Sequence, residues 1–178
     1  MALALVSPEK SIAYGSGLWG AVAGEASSLT VQLKDEFGVA ISASPSSLLS
    51  ASIVGPTVEA PQATVGSVLT EIKRLVVQQD LESTALACSV EDQGDGTQVV
   101  QYCIERAGEY LLKAEFEGVP IHGSPFTLKV IPGTVDKAHC VLHGRAKNGH
   151  IEGVEGSFYI NLADSYGNLA ALNGDEKM

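Results

Sequence analysis

The sequence predicts an all-β chain folded as an immunoglobulin-like antiparallel sandwich of about seven strands. Three observations carry that expectation: short segments that alternate apolar and polar residues, turn residues that bound them, and no alternation of strands with helices. Leu29-Thr30-Val31-Gln32-Leu33 alternates with period two, and Phe158 to Leu162 does the same, so one face of each is expected to be buried. Leu86 to Glu91, Val99 to Ile104, Tyr110 to Phe116 and Phe126 to Val130 follow, each short and bounded by Gly, Pro or Asp. Gly94-Asp95-Gly96-Thr97 offers an Asp-Gly pair that suits a tight hairpin; a two-residue loop there would set Gly94 opposite Thr97.

The chain also repeats itself. Ser11 to Ile41 can be laid on Cys140 to Ala170 without a gap, with Gly15, Gly24, Asp35 and Gly38 falling on Gly144, Gly153, Asp164 and Gly167. Val31 lies over Ile160 and Phe37 over Tyr166, so chemical type is kept where identity is lost. Residues 7–132 have room to finish a domain, and residues 133–178 read as the opening of a second one, cut short. Tandem domains are built more often for reach and binding than for chemistry.

One segment departs from the β pattern. Val65, Val68, Leu69, Ile72, Leu75 and Val76 follow the spacing of an amphipathic helix, with Glu71, Lys73, Arg74 and Gln78 off that stripe. The run Leu75-Val76-Val77 also suits a strand. This stretch, about 58–83, is expected to form a helical insertion between the third and fourth strands, longer than an ordinary sandwich connection.

Composition narrows the partners. At 178 residues and 45% hydrophobic the chain is large and apolar enough to bury a core, and a soluble globular protein is expected. Its formal net charge is −10, with 11 basic residues and no basic run. Nucleic acid and anionic membrane surfaces draw most of their affinity from Lys and Arg on phosphates, so neither is expected as a partner. Nowhere is there the run of ~18 apolar residues that a membrane span needs, so direct membrane insertion is not expected either.

The order of motifs resembles a filamin-type (filamin/ABP280) repeat. Ala13-Tyr14-Gly15-Ser16-Gly17-Leu18 is similar to that family's opening, Ser52-Ile53-Val54-Gly55-Pro56 to the end of its third strand, and Asp95-Gly96-Thr97 to its hairpin. Ala107-Gly108-Glu109-Tyr110 matches the A/P-G-x-Y start of a late strand, and Ile121-His122-Gly123-Ser124-Pro125-Phe126 the turn into the last one. Asp164-Ser165-Tyr166-Gly167-Asn168 resembles the D-x-x-G-N turn of a second opening. The resemblance covers about Pro8 to Pro132 in full; the long connection from Pro56 to Leu86 departs from it.

The resemblance implies a mechanical and adaptor unit whose partner peptides add a strand beside the third strand and reach into a groove against the fourth. On this chain it implies a peptide groove formed by Ser50, Ser52, Val54, Leu86, Cys88 and Val90. Leu49, Ala51 and Ile53 would face the core, leaving small serines at an approachable edge, although a merely solvated edge accounts for the same serines. The insertion follows the third strand directly, so Val65, Val68, Leu69, Ile72 and Val76 are expected to lie over the groove and compete with outside peptides.

No cofactor and no metal are expected. His139 and His143 would sit about 13 Å apart on an extended strand, with Cys140 on the other face, too far for shared ligation of one zinc. Glu91, Asp92 and Asp95 lack the spacing of an EF-hand. No Ser, His and Asp set, P-loop or dinucleotide glycine pattern points to an enzyme. Trp19 reads as a core plug or an inter-module contact. A two-residue hairpin loop would set Cys88 opposite Cys103, while a one-residue bulge would cancel that register; two buried thiols are the preferred reading.

Two functions follow from different classes. The first is an intracellular scaffold in a cytoskeletal or ciliary tandem-repeat protein, contacting peptide tails, neighbouring repeats and, through other parts of a parent, actin networks. Direct actin binding is not expected of so acidic a chain. The alternative is an extracellular adhesion module of a membrane protein in cell or gamete contact. Free thiols favour the first and a Cys88–Cys103 bond the second. A two-strand ribbon such as the second opening is marginal alone, so it is expected to dock on the first module, pair with another molecule or fray.

Overall fold

The computed structural model describes residues 5–42, 48–56, 86–144, 149 and 151–170. Its strands are β1 (Ile12–Tyr14), β2 (Gly20–Val22), β3 (Ala26–Gln32), β4 (Leu49–Val54), β5 (Leu86–Ala87) and β6 (Ser89–Asp92). They continue with β7 (Thr97–Cys103), β8 (Gly108–Phe116), β9 (Val119–Pro120), β10 (Phe126–Ile131), β11 (Val141–His143) and β12 (Tyr159–Asn161). The expected helix over Val65 to Gln79 lies outside the described residues.

Period-two alternation decides which faces meet. Leu29 and Val31 of β3, Val100 and Tyr102 of β7, Tyr110, Leu112, Ala114 and Phe116 of β8, and Leu128 and Val130 of β10 are all buried in one cluster. Leu18, Ala21, Ala23, Leu33, Leu49, Ile53, Ile104 and Ile121 complete it. Each such aliphatic or aromatic side chain removed from water stabilises the fold by about 1.5–3 kcal/mol before the entropy of ordering it is counted.

The cluster lies between two sheets. One runs β1-β3-β7-β6 and the other β2-β10-β8-β4-β5, with β9 also on β8. Every pairing is antiparallel except one: β2 lies parallel to β10, with Gly20, Ala21 and Val22 opposite Lys129, Val130 and Ile131. The expected architecture is therefore present, with two revisions. The short β2 adds a parallel edge, and the expected fourth strand is broken at Cys88, its first part pairing with β4 and its second with β7.

The β6–β7 hairpin also differs from the expected register. Gln93, not Gly94, faces Thr97 and donates its N–H to the Thr97 carbonyl, so the loop is Gly94-Asp95-Gly96. Gly94 and Gly96 both have positive φ, at 76° and 85°. A Cβ at Gly96 would lie 1.4 Å from the Ile41 carbonyl oxygen, so the chain crosses there only without a side chain. The three-residue loop with a left-handed glycine moves the register by one residue.

The internal repeat is a repeat in space. β11 and β12 pair Val141 with Asn161 and His143 with Tyr159, the counterparts of Ile12 with Gln32 and Tyr14 with Thr30 in β1 and β3. The Lys34–Ala40 bridge returns as Ala163–Leu169. Asp35 Oδ1 accepts the Phe37 and Val39 N–H groups, and Asp164 Oδ1 accepts those of Tyr166 and Asn168. The second ribbon extends neither sheet of the sandwich, since β11 and β12 form a separate two-stranded sheet. It docks through the turn after β12: Asn168 reaches Glu105 and Ala107 in the β7–β8 connection, while Asp164 accepts the N–H of Gly133 at the junction between the two units. Of the outcomes open to this ribbon, docking on the first module is the one observed.

Candidate groove beside the third strand

β4 is held on one side along its whole length, Leu49 opposite Phe116 through Val54 opposite Leu111 of β8. On the other side, among the described residues, it meets β5, which pairs Ser52 with Ala87 and Ile53 with Leu86. The Cys88 N–H reaches the Ala51 carbonyl at 3.5 Å, the long end of a hydrogen bond, where the chain leaves β4 for β7. That contact shows which way the backbone points: the polar groups of Ala51, and by the two-residue period those of Leu49 and Ile53, face the edge. Among the described residues, β5 covers the Ile53 end of this edge, and the Leu49 end has no strand beside it.

The six expected groove residues fall on two faces. Leu49 and Ile53 are buried and Ala51 packs on the core, so Ser50, Ser52 and Val54 point away from it. Ser50 is exposed, its hydroxyl donating to the Glu115 carbonyl at 3.4 Å. Cys88 and Val90 pack against the core instead, Val90 opposite the buried Val100. Leu86, opposite Ile53, remains 41% exposed. The serines and valine therefore line the outer surface of β4, while Leu86, Cys88 and Val90 line the seam between the two sheets, where β5 gives way to β6. The masking residues Val65, Val68, Leu69, Ile72 and Val76 lie outside the described residues.

The thiol in the seam is not activated as a nucleophile. Burial pushes the Cys88 thiol up to about 11, so it is protonated at neutral pH and a poor nucleophile. Tyr102 beside it is pushed up to about 12, by burial first and the neighbouring Cys88 second, and donates its hydroxyl to the Gly17 carbonyl. The one-residue register change sets Gln101 opposite Ser89, and Cys103 faces Ala26 on β3. Cys103 is exposed, Cys88 is half-buried, and both are free, which corrects the picture of two buried thiols and removes the register that would join them. Of the two readings of Trp19, its 73% exposure removes the core plug and leaves the inter-module contact.

Two features went unseen in the sequence. One is the self-pairing of β4 by β5, which depends on where a distant segment returns. The other is the docking role of the Asp164–Asn168 turn: the motif itself is legible, and the signal for its further use is that Asn168 stands where the first copy has Val39.

Comparison with known proteins fits this geometry. Residues 5–127 match the family model of the Filamin/ABP280 repeat. The Lin-41 filamin domain is 20% identical with a TM-score of 0.52, over 72% of this chain and 98% of that one. The Escherichia coli adhesin FdeC is 23% identical with a TM-score of 0.58, over 92% of this chain and 43% of its own. Invasin, a bacterial integrin-binding protein, is 14% identical with a TM-score of 0.56, over 92% of this chain and 28% of its own. At these identities the three structures speak to fold alone. No curated protein matches the chain. With its opening, hairpin and closing motifs on the strands described above and its residues 5–127 matched by the family model, the chain belongs to the filamin-repeat family.

Proposed function

We propose that this chain is a non-enzymatic scaffold module of a cytoskeletal or ciliary tandem-repeat protein, one full repeat over 7–132 followed by the opening of another over 133–178. It binds partner peptides by strand addition along β4. Filamin repeats are non-catalytic interaction modules, so the family supports the broad reading. The observation that carries the finer one is the half-used edge of β4, where the backbone groups of Leu49 and the N–H of Ala51 face outward while, among the described residues, β5 pairs with Ser52 and Ile53 and the Cys88 N–H takes the Ala51 carbonyl. Main-chain hydrogen bonds to such an edge supply affinity, and the seam at Leu86, Cys88 and Val90 supplies side-chain selectivity.

The test is selection of random displayed peptides on the full chain, repeated with Ala51→Pro. Proline deletes an N–H that faces the edge rather than β8, so the sandwich tolerates it. Peptides that bind the natural chain and weaken tenfold or more on the variant support strand addition at β4. Equal binding to both would remove this edge from the function.

The adhesion reading is the second one. An extracellular module of this kind would gain from a cross-strand disulfide, and the Cys88 and Cys103 thiols are placed on strands that do not bring them opposite one another. That arrangement supports the intracellular reading. Thiol labelling of the protein from its native source, showing Cys103 oxidised, would reverse the preference.

A further inference from the structure

The two copies of the turn after the repeated ribbon act as a built-in control. In the first copy Asp35 Oδ1 accepts the N–H groups of Phe37 at 3.0 Å and Val39 at 2.8 Å. In the second, Asp164 Oδ1 accepts those of Tyr166 at 3.0 Å and Asn168 at 2.9 Å. Gly38 and Gly167 share a left-handed φ of 79° and 80°. The turn therefore forms equally well around valine or asparagine, so its own geometry does not require the Asn168 side chain.

What Asn168 does is reach across to the other module. Its Oδ1 accepts the Ala107 N–H at 2.9 Å and its Nδ2 donates to the Glu105 carbonyl at 2.8 Å, satisfying two backbone groups of the β7–β8 connection with one planar amide. The same Nδ2 donates to Asp164 Oδ2 at 2.8 Å, and that oxygen also accepts the Gly133 N–H at 2.9 Å. Asp164 is buried by this contact, at 1% exposure. Tyr166 lies over Gly24, where a Cβ would come within 2.1 Å of the ring. In the first copy the corresponding Phe37 and Val39 stand in solvent, at 82% and 61% exposure.

We propose that Gly24, Glu105 and Ala107 form a docking site for a following repeat, selective for a turn reading Asp-x-Tyr-Gly-Asn, with Gly133 tying the junction between the two repeats to the same turn through Asp164. Asn168 is the specificity-determining residue. A turn ending in valine, as in the first copy, leaves the Ala107 N–H and Glu105 carbonyl unanswered and is rejected, because desolvating an unpaired peptide group is unfavourable. Successive repeats are thereby matched by sequence, each accepting a neighbour with the right turn and held to it at a set orientation.

The experiment uses the full chain with Asn168→Val, which copies the first turn, and Ala107→Pro, which removes the N–H at a position where the family motif accepts proline. Amide hydrogen exchange is read at Gly133 and Tyr166. Each variant is expected to speed exchange at Gly133 about tenfold, the scale of one or two net hydrogen bonds. The double variant should go little further than the worse single, since both remove one contact. Exchange at Tyr166, whose N–H is held inside the turn, should stay unchanged. Unchanged Gly133 exchange in both singles, or Tyr166 exchange rising as far as Gly133, would overturn the proposal: the first because the contact would hold nothing, the second because Asn168 would be serving its own turn.

Discussion

The ribbon β1–β3 and the ribbon β11–β12 share register, bridge and Asx turn, yet their side chains live in different surroundings. Val31 is fully buried, while Ile160 at the same place is 51% exposed; Leu29 is buried, and its counterpart Phe158 is 61% exposed. Backbone conformation over these thirty residues is thus a local property, set by alternation and glycine position. Burial is not local: it comes from β7, β8 and β10, which close over the first ribbon and have no described counterpart over the second. The second ribbon compensates at one point, by seating its turn on the first module.

The sharpest way to break this comparison is to truncate matched positions. Leu29→Ala should destabilise the sandwich by about 2–5 kcal/mol in chemical denaturation, and Phe158→Ala by less than about 0.5 kcal/mol. Similar losses at both would mean that the second ribbon is as well covered as the first.

Matched glycines give a smaller effect. Gly24 and Gly153 share a φ of 81° and 80°, but Tyr166 fills the space over Gly24, whereas open space surrounds Gly153. Gly153→Ala should cost only the left-handed backbone, about 1–2 kcal/mol locally. Gly24→Ala should cost the same and also displace the Tyr166 ring, which exchange at Gly133 would register.

The closed core carries a flaw that can be mended. Gln98 is fully buried and neither its Nε2 nor its Oε1 has a hydrogen-bond partner. Gln98→Met should raise stability by about 1–2 kcal/mol, read as a higher denaturation midpoint with an unchanged slope. A loss of stability would show that the amide is answered in solution.

Acid supplies the mildest perturbation. Burial alone would raise the Asp164 carboxyl, but donors from the Asn168 side chain and the Gly133, Asn168 and Tyr166 N–H groups outweigh it and hold it below its ordinary value. A depressed native pKa means that docking is fully supported above the unfolded carboxylate value of about 3.9 and is lost as pH falls through the native one. Exchange protection at Gly133, corrected for intrinsic rates, should therefore be flat from neutral pH down to about 5 and fall only in stronger acid. A loss of protection near pH 6 would point to a different group.

These matched sites also show what the sequence makes legible. The repeat and the buried faces of β3, β8 and β10 follow from periodicity and from turn residues, which act over a few neighbours. The break at Cys88 does not, because Leu86 to Asp92 is equally strand-like whichever sheet it joins; the choice rests on the partners, β4 and then β7. The hairpin register turned on one residue, decided by Gly96 passing beneath the Ile41 carbonyl, a contact with a remote loop. Of the groove, the positions on β4 and on β5–β6 were legible as separate segments, but not the seam that divides them between two faces. Asn168 was visible as part of a motif, and its use became apparent only against Val39 in the equivalent turn.

The parallel pairing of β2 with β10 has a mechanical consequence. These strands lie near the two ends of the complete module, and they run in the same direction side by side. A pull that draws the two ends apart slides one strand along the other, so the pairs Gly20 with Lys129, Ala21 with Val130 and Val22 with Ile131 must yield together. An antiparallel terminal pair pulled from one end opens like a zipper, one bond at a time. Three short pairings thus act as a shear clamp: under tension this module should stay folded until a single high-force event, and a chain of such modules should lengthen in discrete steps.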